Sequence, residues 1–286
     1  MKPQAGSAMN ESANPRSIVV GIDGSKAALR AALWAVDEAV SRDVPLRLLR
    51  AVEQAEIGET ELASAEIAVR QAATAIDATG KPVKVETEVV LGPPVRSLIR
   101  ASASAAMVCV GAVGLRHFHP DRVGSTAAAL AASAQCPVAI IRGRDDHPRQ
   151  PAGAIVVEVD GSPDNGVLLG AAIGEARLRD AAVQAIICRR TAPGDRAATD
   201  DESDRRALAD LDRRLAGWKR RFPDLRVETM VVHGSLLEYL TYHRSVRLMI
   251  VGAHNRQHVD ELVGPAGGAL LQDAGCSLLI VNRQHL

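Results

Sequence analysis

Two stretches in the first half of the chain hold residue types suited to phosphate and sugar. One reads Gly111-Ala112-Val113-Gly114, then nine residues, then Gly124-Ser125-Thr126. Glycines at 111 and 114 let a backbone turn tightly and approach a ligand without a Cβ clash. Gly124, Ser125 and Thr126, with Ala127 next to them, stand where a helix begins. Amides there lack intrahelical partners, and the helix dipole favours an anion. The two hydroxyls add donors. The other stretch is Gly21-Ile22-Asp23-Gly24-Ser25, whose carboxylate can accept hydrogen bonds from ribose hydroxyls. Together they fit a nucleotide with its sugar beside Asp23 and its phosphates at the glycine loop. Each stretch also has an ordinary structural reading: Asp-Gly-Ser is a common strand-to-helix turn, and G-x2-G alone is a turn signal.

These residues need a scaffold, and the chain repeats one. Residues 17–35, SIVVGIDGSKAALRAALWA, correspond to residues 154–172, AIVVEVDGSPDNGVLLGAA. MVCVG at 107–111 corresponds to MIVG at 249–252, and QCPVAIIR at 135–142 to GCSLLIVNR at 275–283. Three ordered matches indicate duplication. With 286 residues, two domains are the natural division. We assign 1–16 to an N-terminal tail, 17–143 to the first domain, 144–153 to a charged Pro/Gly linker, and 154–286 to the second domain. A charged stretch at 191–206 reads as a loop within the second domain.

In the first half, continuous apolar runs predict buried strands over 17–22, Leu46–Val52, 106–111 and Val138–Ile141. Residues 83–91 alternate and suit a half-exposed strand near a sheet edge. Helices are predicted from a Ser25 cap to Ser41, with Ala28, Ala32, Ala35, Val36 and Ala39 inward, and over 60–79, 93–101 and Ser125–Ser133. The second half follows the same order. The expected fold class is α/β: two tandem doubly wound domains, each a five-stranded parallel sheet of order 3-2-1-4-5 flanked by helices. The loops after strands 1 and 4 then flank the crevice where the strand order reverses.

Composition and missing motifs exclude several functions. Thirty-four basic residues balance 34 acidic ones, and aromatics are 2%, so neither a phosphate-neutralising surface nor a base-stacking platform is available for nucleic acid. No apolar run is long enough for a membrane span, and the N-terminus lacks a secretory h-region. Cys109, Cys136, Cys188 and Cys276 sit in aliphatic surroundings and read as buried reduced thiols, consistent with a cytoplasmic protein. There is no G-x4-G-K-[ST], no G-x-S-x-G and no G-x-G-x-x-G after the first strand. A phosphoacceptor receiver domain would need an Asp after strand 3 and a Lys after strand 5; Leu91-Gly92-Pro93 and Ile141-Arg142-Gly143 stand there instead. His254 and His258 share i,i+4 spacing, but no metal site is expected there. Arg116, His117, His119 and Arg122 could neutralise phosphate or form a solvated loop. Trp34 and Trp218 are read as core or domain-contact residues.

The sequence resembles tandem universal stress proteins through G-x2-G-x9-G-[ST] and the upstream I-V-V-G-x-D-G-S, both intact in the first half. That resemblance implies ATP, with or without Mg2+, held by Asp23 at the ribose and by Gly21, Ile22 and Ala51 around adenine. The phosphates fall to Gly111, Val113, Gly114, Gly124, Ser125, Thr126 and Ala127. It implies stress-linked regulation without efficient catalysis; slow ATP hydrolysis stays open, as does an interaction scaffold with vestigial binding. In the second half, Asp160, Gly252, Asn255 and Gly264 form a degenerate candidate site. Asn255 replaces a Gly, the spacer is one residue short, and Pro265 removes a hydroxyl and an N–H. Besides ATP, the expected partners are an unidentified regulatory protein and a second copy of the chain. The homodimer would form through edge strands, for which the fifth strands at 138–141 and 278–281 are candidates, and the same edges could join the two halves as a pseudo-dimer.

Overall fold

The computed structural model describes residues 16–53, 58–115, 123–143, 153–162, 165–189, 201–243 and 245–282. The first half runs β1 (Ile18–Gly21), α1 (Lys26–Arg42), β2 (Leu46–Val52), α2 (Glu59–Asp77), β3 (Val85–Leu91), α3 (Pro94–Ser102), β4 (Met107–Gly111), α4 (Ser125–Ser133) and β5 (Val138–Ile141). The second runs β6 (Ala154–Glu158), α5 (Asn165–Arg179), β7 (Val183–Arg189), α6 (Asp201–Arg221), β8 (Val227–His233), α7 (Leu236–Tyr242), β9 (Val246–Gly252), α8 (Arg256–Val263), α9 (Pro265–Ala274) and β10 (Ser277–Val281).

Each half is the parallel 3-2-1-4-5 sheet expected from the sequence, and the two join into one ten-stranded sheet of order β3-β2-β1-β4-β5-β10-β9-β6-β7-β8. The apolar strand runs follow from burial on both faces. Ile18 and Val20 face one way, into the α1 and α2 layer, while Val19 faces the other, toward Leu98 of α3 and Leu130 of α4. Each apolar layer continues through both halves. β3 has the intermediate burial of an edge strand.

Helix α1 shows how local sequence sets the frame. Ser25 Oγ accepts from the Ala28 amide at 3.0 Å, and the left-handed Asp43 closes the helix. The small inner residues, Ala28, Ala32, Ala35, Val36 and Ala39, are all buried, so the helix lies close to the sheet. At Gly111 a Cβ would come within 2.6 Å of the Ala27 carbonyl carbon. That glycine therefore serves the packing of strand on helix, and no ligand is needed to account for it.

The sequence reading departs from the structure in three places. The fifth strands are not sheet edges: β5 and β10 pair antiparallel within the chain, Leu278 opposite Ile140 and Ile280 opposite Val138. Each fills the other's open side, so the pseudo-dimer forms internally and those edges are closed to a second copy. The outer strands are β3 and β8. Second, the charged stretch 191–206 is not all loop, because α6 starts at Asp201; residues 191–200 lie outside the described ones. Asp201, Glu202 and Asp204 complement the helix dipole, and Arg205 and Arg206 pair with Asp201 and Glu202 one turn back. Third, the spacer between Asn255 and Gly264, read from the sequence as loop, forms helix α8. Among the described residues no helix is long and apolar enough to cross a membrane.

Candidate functional site

A cavity of about 310 Å³ opens at the carboxyl ends of β1 and β4, where the strand order reverses. This lies at the lower end of the size range of small-molecule pockets, roughly 300–1,000 Å³. All eleven residues assigned to the first site, Gly21, Ile22, Asp23, Ala51, Gly111, Val113, Gly114, Gly124, Ser125, Thr126 and Ala127, line it.

Asp23 stands at one side. Its Oδ1 accepts from the Ser25 amide at 2.9 Å and its Oδ2 from the Leu115 amide at 3.0 Å. The carboxylate thus ties the β1 turn to the glycine loop, with lone pairs left on both oxygens. Gly114 makes this approach possible: a Cβ there would lie 2.6 Å from Asp23 Oδ2. Opposite Asp23, the Gly124 amide donates to the Ala112 carbonyl at 2.8 Å, which brings the start of α4 against the glycine turn. Gly124, the N-cap residue of α4, has no side chain to cap the helix. Its first-turn amides and the Ser125 and Thr126 side chains border the cavity, forming a donor-rich end.

The remaining wall is mostly apolar, with the charged Arg50 and Glu53 on its β2 side. Gly21 leaves room for Leu98 and Val110, since a Cβ there would lie 3.0 Å from Leu98 Cδ1 and 3.2 Å from Val110 Cγ1. Leu49, Ala51 and Glu53 line the β2 side, with Pro94 and Val95 opening α3 nearby. The cavity therefore offers a largely apolar wall, a carboxylate and an amide-rich end. Arg116, His117, His119 and Arg122 lie outside the described residues.

The corresponding place in the second half is built differently. Asp160 keeps its turn, accepting from the Ser162 amide at 2.9 Å. Its other oxygen meets His254 Nε2 at 2.9 Å. This pair and the Ser162 bonds outweigh partial burial, which acts in the opposite direction, and hold the Asp160 carboxyl below its usual range. The His254 ring lies over Gly252, where a Cβ would come within 2.4 Å of it. Glu158 occupies the position of Gly21 and is buried; it pairs with His258, which also contacts Asn255 Nδ2 at 2.7 Å. Asn255 caps α8, and α8 lies so close to α9 that a Cβ on Gly267 would meet the Glu261 carbonyl oxygen at 2.2 Å. Asp160, Gly252, Asn255 and Gly264 are thus in the matching places, with Glu158, His254 and His258 pairing among them. His254 precedes the Asn255 cap, so it does not share a helix face with His258, and each imidazole is engaged by a carboxylate.

The family model of the universal stress proteins matches twice, over residues 15–142 and 152–282. The chain belongs to the universal stress protein family. It is 56% identical to the universal stress protein Rv2028c of Mycobacterium tuberculosis H37Rv, over 97% of this chain and all of that protein. It is 39% identical to Rv2624c of the same organism, over 94% and 97% of the two chains. The crystal structure of a universal stress protein from Archaeoglobus fulgidus superposes with a TM-score of 0.64 at 16% identity, covering 93% of this chain and 96% of that one. At that identity it supports the fold.

Within this universal stress protein, sequence reasoning missed part of the site. Leu49 and Glu53 flank Ala51 at the two-residue spacing of a strand and could have been named with it. Leu98 and Val95 sit on α3, whose apolar stripe follows Pro93-Pro94, but which stripe residue faces a ligand needs the crossing of α3 over β1. The plug in the second half had a direct signal in the repeat alignment: Glu158 stands where Gly21 stands.

Proposed function

We propose that this protein is a nucleotide-responsive regulator that binds ATP in its first domain and does not turn it over efficiently. One observation carries the reading: all eleven assigned residues line one cavity, with Asp23 and the start of α4 both on its wall. Adenine would lie against Ala51 and Ile22, the ribose hydroxyls would donate to Asp23, and the phosphates would take the amides of Gly114 and of the first turn of α4. Mg2+, where present, would be held mainly by phosphate oxygens and water. The chain supplies positioning: the largely apolar wall excludes water from the base, and the helix dipole stabilises phosphate charge. No lysine or histidine is among the described cavity residues, which favours binding over hydrolysis. Bound nucleotide would change the surface at the mouth of the cavity, which a regulatory partner reads. In the second domain, Glu158, His254 and His258 take the place of ligand, so one nucleotide per chain is expected.

Mass spectrometry of small molecules released from the purified, desalted protein tests this reading. The expected result is a near-stoichiometric adenine nucleotide. A protein that carries none and shows no thermal shift with millimolar ATP would favour a second reading, an interaction scaffold. That reading draws on the two amide bonds that already occupy Asp23, a structural duty that needs no ligand.

A further inference from the structure

Where the two halves meet, α1 and α5 carry a buried acid–base cluster that nucleotide binding does not use. Glu38 and Arg42 of α1 correspond in the repeat to Glu175 and Arg179 of α5, by the same offset that relates Asp23 to Asp160. The pairs are chemically equivalent but not equivalent in space. Arg179, 4% exposed, bonds Glu38 Oε1 at 2.7 Å and Glu175 Oε2 at 2.9 Å, and both carboxylates are almost fully buried. Arg42 is 31% exposed and reaches only its own neighbour Glu38, at 3.2 Å. The Arg179 guanidinium also lies 4.1 Å from the centre of the Trp34 ring, which fixes it against α1. One deeply buried cation thus bridges two deeply buried acids, one from each half. Arg247 of β9 and Asp37 of α1, the latter held by Lys81, stand further out, and the Cys109 thiol of β4 faces the cluster from the sheet.

We propose that Glu175 keeps a proton where it faces Glu38 across the seam between the two halves, and that release of this proton at alkaline pH loosens α1 from α5. Arg42 answers Glu38 from its partly exposed side, so the buried Arg179 is the cation on Glu175; two ionised carboxylates about that one guanidinium would repel each other where water screens poorly, whereas an acid–carboxylate pair is satisfied. Burial, together with Glu38 beside it, pushes Glu175 up to about 8. The step is an acid dissociation: the carboxyl O–H bond breaks and the proton passes to water. The folded chain holds this proton between about 4.5, the ordinary glutamate value, and about 8, while the unfolded chain does not. Stability from this group therefore falls as pH rises through that window, and the loss is complete above it. The inference does not depend on nucleotide.

Infrared titration of the full chain, followed with thermal unfolding between pH 6 and 9, provides the test. The folded protein should show a protonated-carboxyl stretch at pH 7 that disappears around pH 8. Its melting temperature should fall by roughly 5–10 °C between pH 6 and 9. Glu175→Gln should lack the band and lose most of this pH dependence. If that variant does not fold, the wild-type band and Glu38→Gln decide the matter. Absence of the band at pH 7 in folded wild type, or its persistence unchanged in both variants, would overturn the proposal.

Discussion

Gly114 and Gly111 belong to the same motif but should fail differently when given a methyl group. At Gly114 the new Cβ would sit 2.6 Å from Asp23 Oδ2, the end of a short side chain held at both oxygens. The backbone can stay in place, but the carboxylate must turn away, losing its bond to the Leu115 amide and its aim at the ribose. A hydrogen bond to a charged group contributes about 1.5–3 kcal/mol, so Gly114→Ala should weaken ATP binding roughly 10- to 150-fold. At Gly111 the Cβ would meet main-chain atoms of Ala27 at 2.6–2.9 Å, and no rotamer relieves that. Overpacking of this kind costs about 1–3 kcal/mol, which would lower the melting temperature of Gly111→Ala by roughly 2–12 °C. Isothermal titration with ATP, paired with calorimetric melting of each variant, separates the two effects. A Gly114→Ala chain that binds ATP as tightly as wild type would show that the Asp23 carboxylate does not hold the nucleotide.

Three further outcomes follow from the same geometry. Asp160→Ala, which breaks the His254 contact in the second half, should change ATP affinity less than twofold; a large loss by titration would place nucleotide in the wrong half. A chain cut to residues 1–143 exposes the β5 edge that β10 covers, and should run as a dimer on size exclusion where the full chain shows no such β5 contact; a monomeric fragment would contradict this. Burial raises the Cys109 thiol well above its usual value and pushes Cys136 and Cys276 to about 12, while Cys188 is half-buried. Alkylation of the native protein at pH 8 should therefore modify Cys188 well before the other three, as read by peptide mass spectrometry.

Much of the fold was legible because it rests on period and repetition. Runs such as Leu46–Val52 are buried on both faces, and the alternating residues before Leu91 mark an edge strand. The glycine loop was legible because its spacing matches a turn followed by a helix start. What escaped depends on contacts between distant elements. Nothing local says that Gly111 answers to Ala27, or that β5 meets β10 within the chain and not across a dimer. The start of α6 was hidden by its charges: Asp201, Glu202 and Asp204 read as a solvated loop, though acids are what a helix N-terminus favours. The plug in the second half was half-legible. Pro265 and Asn255 pointed to a damaged loop, but the stronger signal was Glu158 in a glycine's place.

The central claim is that one nucleotide sits in the first domain against Asp23. Titration of ATP into wild type and Asp23→Ala, with folding of both confirmed by melting, tests it most directly. The expected stoichiometry is near one per chain in wild type, with binding weakened at least tenfold in the variant. No binding at millimolar ATP in wild type, or undiminished affinity in Asp23→Ala, would contradict it.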